Sequence, residues 1–316
     1  MGKKIYWLLN KYRVVLVLIF IFIISSIINE KFLTINNLSN VLLNISTNGI
    51  IAVGMTIIMI TGGIDLSVGS MVALTSVIVI GLQPEMSSVY GILVAIAVGI
   101  LIGLANGFII AKFKVNPFVA TLGTQIFVMG LALRLANGTT ITGIDPDFAY
   151  VAEMPVLGIP LSAIVLFFIV FISDYILIHT RFGRGFFAIG GNPEASRLAG
   201  MSVDLYIIAA YIFGTFTTVI GGVILTSRIN TGSCNIAGDT LITVIAAVLL
   251  GGTSLSGGIG RPIYTLFGVL IIGIIGNSLN LKGIGGFAQT IIIGLLLIIV
   301  MLIDGLSKKQ TILVRK

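Results

Sequence analysis

Long apolar runs alternate with short polar joints along nearly the whole chain of 316 residues. The runs cover approximately Val14 to Ile28, Asn44 to Ile60, Leu66 to Leu82, Tyr90 to Ala111, Phe118 to Ala136, Leu161 to Ile178, Leu205 to Thr226, Leu241 to Leu250, Pro262 to Asn280 and Phe287 to Ile303. A helix needs about 20 residues to cross the hydrocarbon layer. The pattern therefore predicts about ten helical spans, the shorter ones extended by their flanks or acting as half-helices that meet a break inside the protein. No joint is long enough to be a separate domain, so residues 1–316 read as one all-α, polytopic transmembrane domain.

A long polar and charged stretch between apolar runs is FGRGFFAIGGNPEASRLAGM, Phe182 to Met201. Asn192 can cap a helix, Pro193 suits its first turn, and Glu194 faces the positive end of the dipole. Gly200 can close the helix in a left-handed conformation. Such a helix holds only about two turns, too few to span a membrane or to be stable alone. It needs a partner surface, and the flanking Arg181, Arg184 and Arg197 favour the cytoplasmic side.

Composition agrees with a membrane solvent: 57% of residues are hydrophobic and 9% charged, against roughly 25% charged in soluble domains. A net charge of +7 would suggest nucleic acid in a soluble protein. Here the basic residues sit at the edges of apolar runs, where they set topology and meet anionic headgroups, and no nucleic-acid partner is expected. With the N-terminus inside, Lys3, Lys4, Lys11, Arg13, Lys112, Lys114, Arg181, Arg184, Arg197, Arg261, Lys308, Lys309, Arg315 and Lys316 fall on the cytoplasmic side. Only Lys31, Arg134, Arg228 and Lys282 fall outside. Both termini are then cytoplasmic, and Asn137 to Pro160 is the longest external connection. The opening MGKKIYWLLNKYR imitates a secretory signal, but Ser25 to Glu30 offers no small-residue cleavage pattern, so it reads as the lead into the first span. The single Cys234 belongs to no metal-ligand spacing and forms no internal disulfide.

Two glycine-rich breaks interrupt the apolar pattern. TGGIDLSVGS, Thr61 to Ser70, joins the second and third runs, and LGGTSLSGGIGRP, Leu250 to Pro262, joins the eighth and ninth. Gly62, Gly63, Leu66, Ser67 and Gly69 align with Gly251, Gly252, Leu255, Ser256 and Gly258 as a repeated GGxxLSxG. Unwound segments cluster beside transport pathways, because freed backbone groups need protein or a water-filled cavity to satisfy them. Asp65 reads as a cap for a helix starting at Leu66, with substrate contact and gating as alternatives. Asn44, Asn48, Asn106, Asn277, Asn280 and Gln289 place amides within or at the ends of spans, where they suit sugar hydroxyls or serve as interhelical hydrogen-bonding groups. Asp65, Ser67, Asn48, Asn106, Asn277 and Asn280 are the pathway or gating candidates. The lone His179 beside Arg181 reads as an interfacial anchor.

Six segments together resemble one family, the permease subunits of bacterial ABC importers of the ribose type. They are AVGMTIIMITGGIDLSVGSMVAL (Ala52 to Leu74), NPFVATLGTQ (Asn116 to Gln125), ANGTTI (Ala136 to Ile141), TRFGRGFFAIGGNPEASRLAGM (Thr180 to Met201), IAAVLLGGTSLSGGIGRP (Ile245 to Pro262) and GNSLNLKGI (Gly276 to Ile284). The resemblance runs nearly end to end. It implies a multi-pass permease of the type II-like importer kind in the bacterial plasma membrane, paired with a second permease copy, a cytoplasmic ATPase and an extracytoplasmic sugar-binding protein. It also implies that residues of about 180–203 form the coupling segment, with Gly190, Gly191, Asn192, Glu194, Ala195, Arg197, Leu198 and Gly200 meeting the ATPase. Two departures stand out: the family's usual acidic pair before the IAA segment is replaced by Leu241, Ile242 and Thr243, and its usual Arg after TLGT by Met129.

No G-x-x-x-x-G-K-[ST] loop occurs, so ATP and Mg²⁺ are expected on a partner and no cofactor on this chain. There is no metal-ligand cluster, no His beside a nucleophile and no paired intramembrane carboxylate, so no catalytic or metal site is expected. An ion-coupled secondary transporter of a small neutral solute is the alternative; it requires ionisable relay groups at mid-membrane, whereas Asp65 and Asp174 read as lying near span ends without obvious partners.

Overall fold

The computed structural model describes residues 2–296, 298, 299 and 302, with side chains from Arg13 onward. The helices are α1 (Gly2–Ile28), α2 (Ile35–Ile60), α3 (Val68–Gly81), α4 (Ser88–Phe113), α5 (Pro117–Leu135), α6 (Pro146–Val151), α7 (Leu161–His179), α8 (Arg181–Gly191), α9 (Pro193–Leu198), α10 (Val203–Ile229), α11 (Thr240–Leu250) and α12 (Pro262–Leu281). A further apolar helix, α13, follows at Gly286–Leu296. Six of them, α2, α4, α5, α7, α10 and α12, are long and apolar enough to cross a membrane. The runs at Arg13–Ile28, Val68–Gly81, Thr240–Leu250 and Gly286–Leu296 form shorter apolar helices. The end of the tenth run and the basic residues from Lys308 onward lie outside the described residues.

Helix starts follow local chemistry. Proline occupies the first turn of α5, α6, α9 and α12, where its missing N–H costs nothing. The side chains of Asn116, Asp145 and Asn192 accept the free N–H groups of Phe118, Phe148 and Ala195, as N-caps do.

The core is built around α2 and α3. Over their central turns the apolar residues are buried on every side: Ile50, Ile51, Ala52 and Val53 of α2 are fully buried, and Val72, Ala73 and Val79 of α3 likewise. A helix that is apolar all round belongs inside a bundle. α10 lies against both α2 and α4, and glycines let the backbones close up. A Cβ at Gly54 would lie 2.9 Å from the Gly214 Cα, and one at Gly107 would lie 2.6 Å from the Ile208 Cα. By contrast α5 keeps most of its apolar surface exposed, including Phe118, Ile126 and Phe127.

The Asn137 to Pro160 connection is folded, and it carries three of the four short strands by which the described residues depart from an all-α chain. Strand β1 (Ile141–Thr142) pairs antiparallel with β4 (Thr231–Gly232), and β2 (Pro155–Val156) with β3 (Ile159–Pro160). Between them α6 is fastened to the end of α10, where the Ser227 hydroxyl donates to the Phe148 carbonyl at 2.7 Å and accepts the Ala152 N–H at 3.0 Å. Phe148 is thereby buried.

Candidate functional site

The joint from Thr180 to Met201 holds two helices, not one. The Thr180 hydroxyl accepts the Gly183 N–H at 2.9 Å and starts α8, whose Gly183, Gly185, Phe186 and Ile189 are buried. Phe182 stacks on Tyr206 of α10 and Phe186 meets the same ring edge to face, at centroid distances of 5.0 and 5.3 Å. The chain then turns at Asn192, whose side chain accepts the Ala195 N–H at 2.9 Å. Pro193 and Glu194 occupy the first turn of α9. Gly200 ends the segment at φ 82°, with the Met201 N–H donating back to the Ser196 carbonyl at 3.0 Å. Cap, proline and closing glycine stand as the residue pattern predicts. Glu194, Ala195, Arg197 and Leu198 are all exposed, Leu198 to 91%. Arg197 and Lys112 share Asp204 at 3.4 and 2.8 Å, which fixes the far side of α9 to the α4 and α10 ends.

The root of α9 touches both glycine-rich breaks. The Gly258 N–H donates to the Ile60 carbonyl at 2.8 Å, joining the second break to the end of α2. Gly190 lies against this bond: a Cβ there would sit 1.7 Å from the Ile60 oxygen and 2.6 Å from the Gly258 nitrogen. A Cβ at Gly257 would meet the Gly190 oxygen at 2.7 Å and the Gly62 nitrogen at 3.0 Å. Backbone therefore packs on backbone at one junction of three segments. Side chains hold it from two directions. Tyr211 of α10, fully buried, donates its hydroxyl to the Ile64 carbonyl at 3.0 Å. Arg261 grips Asp174 of α7 with two bonds of 2.9 Å, a bidentate geometry that carries direction as well as charge.

The two breaks share a construction, with one register change. α2 and α11 end alike: the Gly62 and Gly252 N–H groups bond three residues back, the Gly63 and Thr253 N–H groups five back, and Gly62 and Gly252 take φ of 83° and 84°. This matches Gly62 to Gly252, one position away from the sequence alignment. Further on the alignment holds, since the Ser67 N–H donates to Asp65 and the Ser256 N–H to Ser254.

The candidate pathway residues do not form one group. Asp65 and Ser67 come together, but α3 starts at Val68, not Leu66, and Asp65 is buried rather than near a surface. Its carboxylate accepts both the Ser67 N–H and hydroxyl. Asn106 accepts the Thr124 hydroxyl from α5. Asn277 exchanges two amide bonds with Asn37, at 3.0 and 2.8 Å, tying α12 to α2. Asn280 is exposed and accepts the Gln289 amide. Asn48 lines a polar cavity, at the opposite end of the bundle from α9. Sequence reasoning missed Asn37, Tyr211 and the Asp174–Arg261 pair; Asp174, read as unpartnered, has a partner 87 residues away.

A family model described as "Branched-chain amino acid transport system / permease component" matches residues 37–301. The "Ribose import permease protein RbsC" of Escherichia coli (strain K12) is 36% identical over 311 residues, 96% of this chain and 95% of the relative. That of Bacillus subtilis (strain 168) is 40% identical over 286 residues, covering 89% and 88%. The "L-arabinose transport system permease protein AraH" of Escherichia coli (strain K12) is 35% identical over 303 residues, covering 95% and 92%. No solved structure matches the chain.

Proposed function

The chain belongs to the ribose-type permeases of bacterial ABC importers, and we propose on that premise that its own cargo is a neutral monosaccharide. It is a multi-pass permease subunit of the inner membrane, not an enzyme, and ATP hydrolysis takes place on a separate subunit. In the proposed arrangement the ten apolar runs all lie within the membrane and both termini are cytoplasmic. A cytoplasmic ATPase, which holds ATP and Mg²⁺, docks on α9; an extracytoplasmic sugar-binding protein and a second permease copy complete the importer. The relatives named for ribose and arabinose support the cargo class.

The observation that carries the coupling role is the α9 root. A rigidly capped, exposed helix that continues from α8, whose Gly190 lies in backbone contact with two broken-helix segments, can pass a partner's closure into the bundle as a rigid movement. Asp174 and Asp65 are engaged by Arg261 and Ser67, and the relatives named as ribose and arabinose permeases give the ion-coupled alternative no support. The test is purification with co-expressed candidate ATPase and binding protein, followed by a screen of monosaccharides for stimulated ATP hydrolysis. At least one monosaccharide should stimulate. Stimulation by an amino acid or a metal ion alone, with every monosaccharide inactive, would overturn the reading.

A further inference from the structure

The end of the bundle opposite α9 holds a cavity of about 500 Å³ between α2, α10 and α11, lined by Asn44, Thr47, Asn48, Arg228, Asp239 and Thr243. That lies within the roughly 300–1,000 Å³ of small-molecule sites. Asn48 sits 12 residues before Ile60, so at 1.5 Å per residue the cavity reaches to about 18 Å from the glycine junction. Two polar atoms on its lining residues are buried and have no hydrogen-bond partner, the Thr47 hydroxyl and the Arg228 Nε. Thr47 is 4% exposed. The other Arg228 nitrogens are committed, Nη2 to the Asn44 side chain at 3.0 Å and Nη1 to the Leu43 carbonyl at 3.4 Å. The Thr47 hydroxyl and the Arg228 Nε both belong to residues of the cavity wall, and a buried polar atom left unpaired is costly.

We infer that this cavity is a subsite of the transport pathway that takes a neutral polyol, an inference that rests on the monosaccharide reading above. Its charges balance: Arg228 brings one positive group and Asp239 one negative group. An anion would meet Asp239 and a cation Arg228, whereas a sugar hydroxyl donates to a carboxylate and accepts from a guanidinium. The amides of Asn44 and Asn48 and the hydroxyls of Thr47 and Thr243 offer both functions again. Adjacent hydroxyls of one pyranose or furanose ring can therefore be satisfied without burying net charge.

The test uses the complete importer in proteoliposomes, with uptake of radiolabelled D-ribose, L-arabinose and D-galactose measured for the unmodified chain, Thr47→Val and Asn48→Leu. Each variant should raise the KM of the transported sugar about two- to tenfold, the worth of one hydrogen bond, and Asn48→Leu should change the ranking among the three sugars. A second measurement is independent of transport: in a Cys234→Ala background, Thr243→Cys should react with an impermeant thiol reagent and be protected by saturating sugar. KM and ranking unchanged in both variants, or a Cys at 243 closed to the reagent, would overturn the subsite while leaving the sugar reading intact. An unmodified importer that takes up none of a range of monosaccharides, these three included, would instead overturn the sugar reading.

Discussion

Replacing Gly190 with alanine probes the junction with the smallest perturbation available. The new Cβ would sit 1.7 Å from the Ile60 oxygen, and Cβ atoms essentially never approach a heavy atom closer than 3.0 Å. The two must part by about 1.3 Å, and both are backbone, so no rotamer change relieves them. Either the bond from Gly258 to Ile60 opens or α8 swings away and carries α9 with it. Overpacking of this kind costs about 1–3 kcal/mol, and a lost hydrogen bond about 1 kcal/mol more. A coupling loss of 1–3 kcal/mol corresponds to about 5–150-fold. Gly191 is the internal control, because a Cβ there meets nothing within 4 Å. Gly200→Val tests the other end: its φ of 82° with open space around it makes the cost one of backbone strain alone, roughly 1 kcal/mol or more. The assay is sugar-stimulated ATP hydrolysis and uptake per ATP in the assembled importer, beside thermal stability. Gly190→Ala should lose stimulation at least fivefold and lower thermal stability, whereas Gly191→Ala should keep the thermal stability of the unmodified chain. Stimulation, uptake and stability of Gly190→Ala equal to those of the unmodified chain would refute the junction's role.

Three other outcomes follow from particular contacts. For topology, in a Cys234→Ala background, Leu157→Cys, at a position 99% exposed, should react with an impermeant reagent in intact cells, and Leu198→Cys should not; the opposite pattern would reverse the orientation. Asn277→Leu strands the Asn37 amide on α2 and should lower stability by about 1–3 kcal/mol, read as a fall in Tm, while Asn280→Ala should change Tm little. The Asp145 carboxyl is held below the usual carboxylate range, chiefly by the Ser88 hydroxyl and then by the Phe148 N–H. Its folded pKa is thus lower than its unfolded one, so its stabilisation is fully present above the unfolded value, near 4, and is lost as pH falls through the folded value. Ser88→Ala should flatten that acid-side decline in Tm; an unchanged pH profile would contradict the assignment.

What was legible in the sequence was local. Asn192, Pro193 and Gly200 read as a cap, a first turn and a closing residue because all three act through the backbone within one or two turns. The apolar runs reappear as helices within the described residues for the same reason, six of them long enough to cross a membrane. The amphipathic pattern of α8 and the Asp145-Pro146 start of α6 were written just as locally and were passed over, since hydropathy alone merges such short helices into loops. Other features depend on distance in space. Nothing near Asn277 announces Asn37, 240 residues away, and a repeated GGxxLSxG does not say that its copies meet. Asp65 lies deep because α2 stops at Ile60 inside the packed bundle, so a residue at a helix end is not thereby at a surface.

ATP-dependent uptake of sugar tests the central claim most directly. The complete importer, reconstituted with its ATPase and binding protein, is loaded with labelled D-ribose or L-arabinose on the binding-protein side and ATP on the α9 side. The account predicts accumulation that requires ATP hydrolysis and binding protein and is indifferent to an imposed proton or sodium gradient. Accumulation driven by an ion gradient with no ATP present would contradict it.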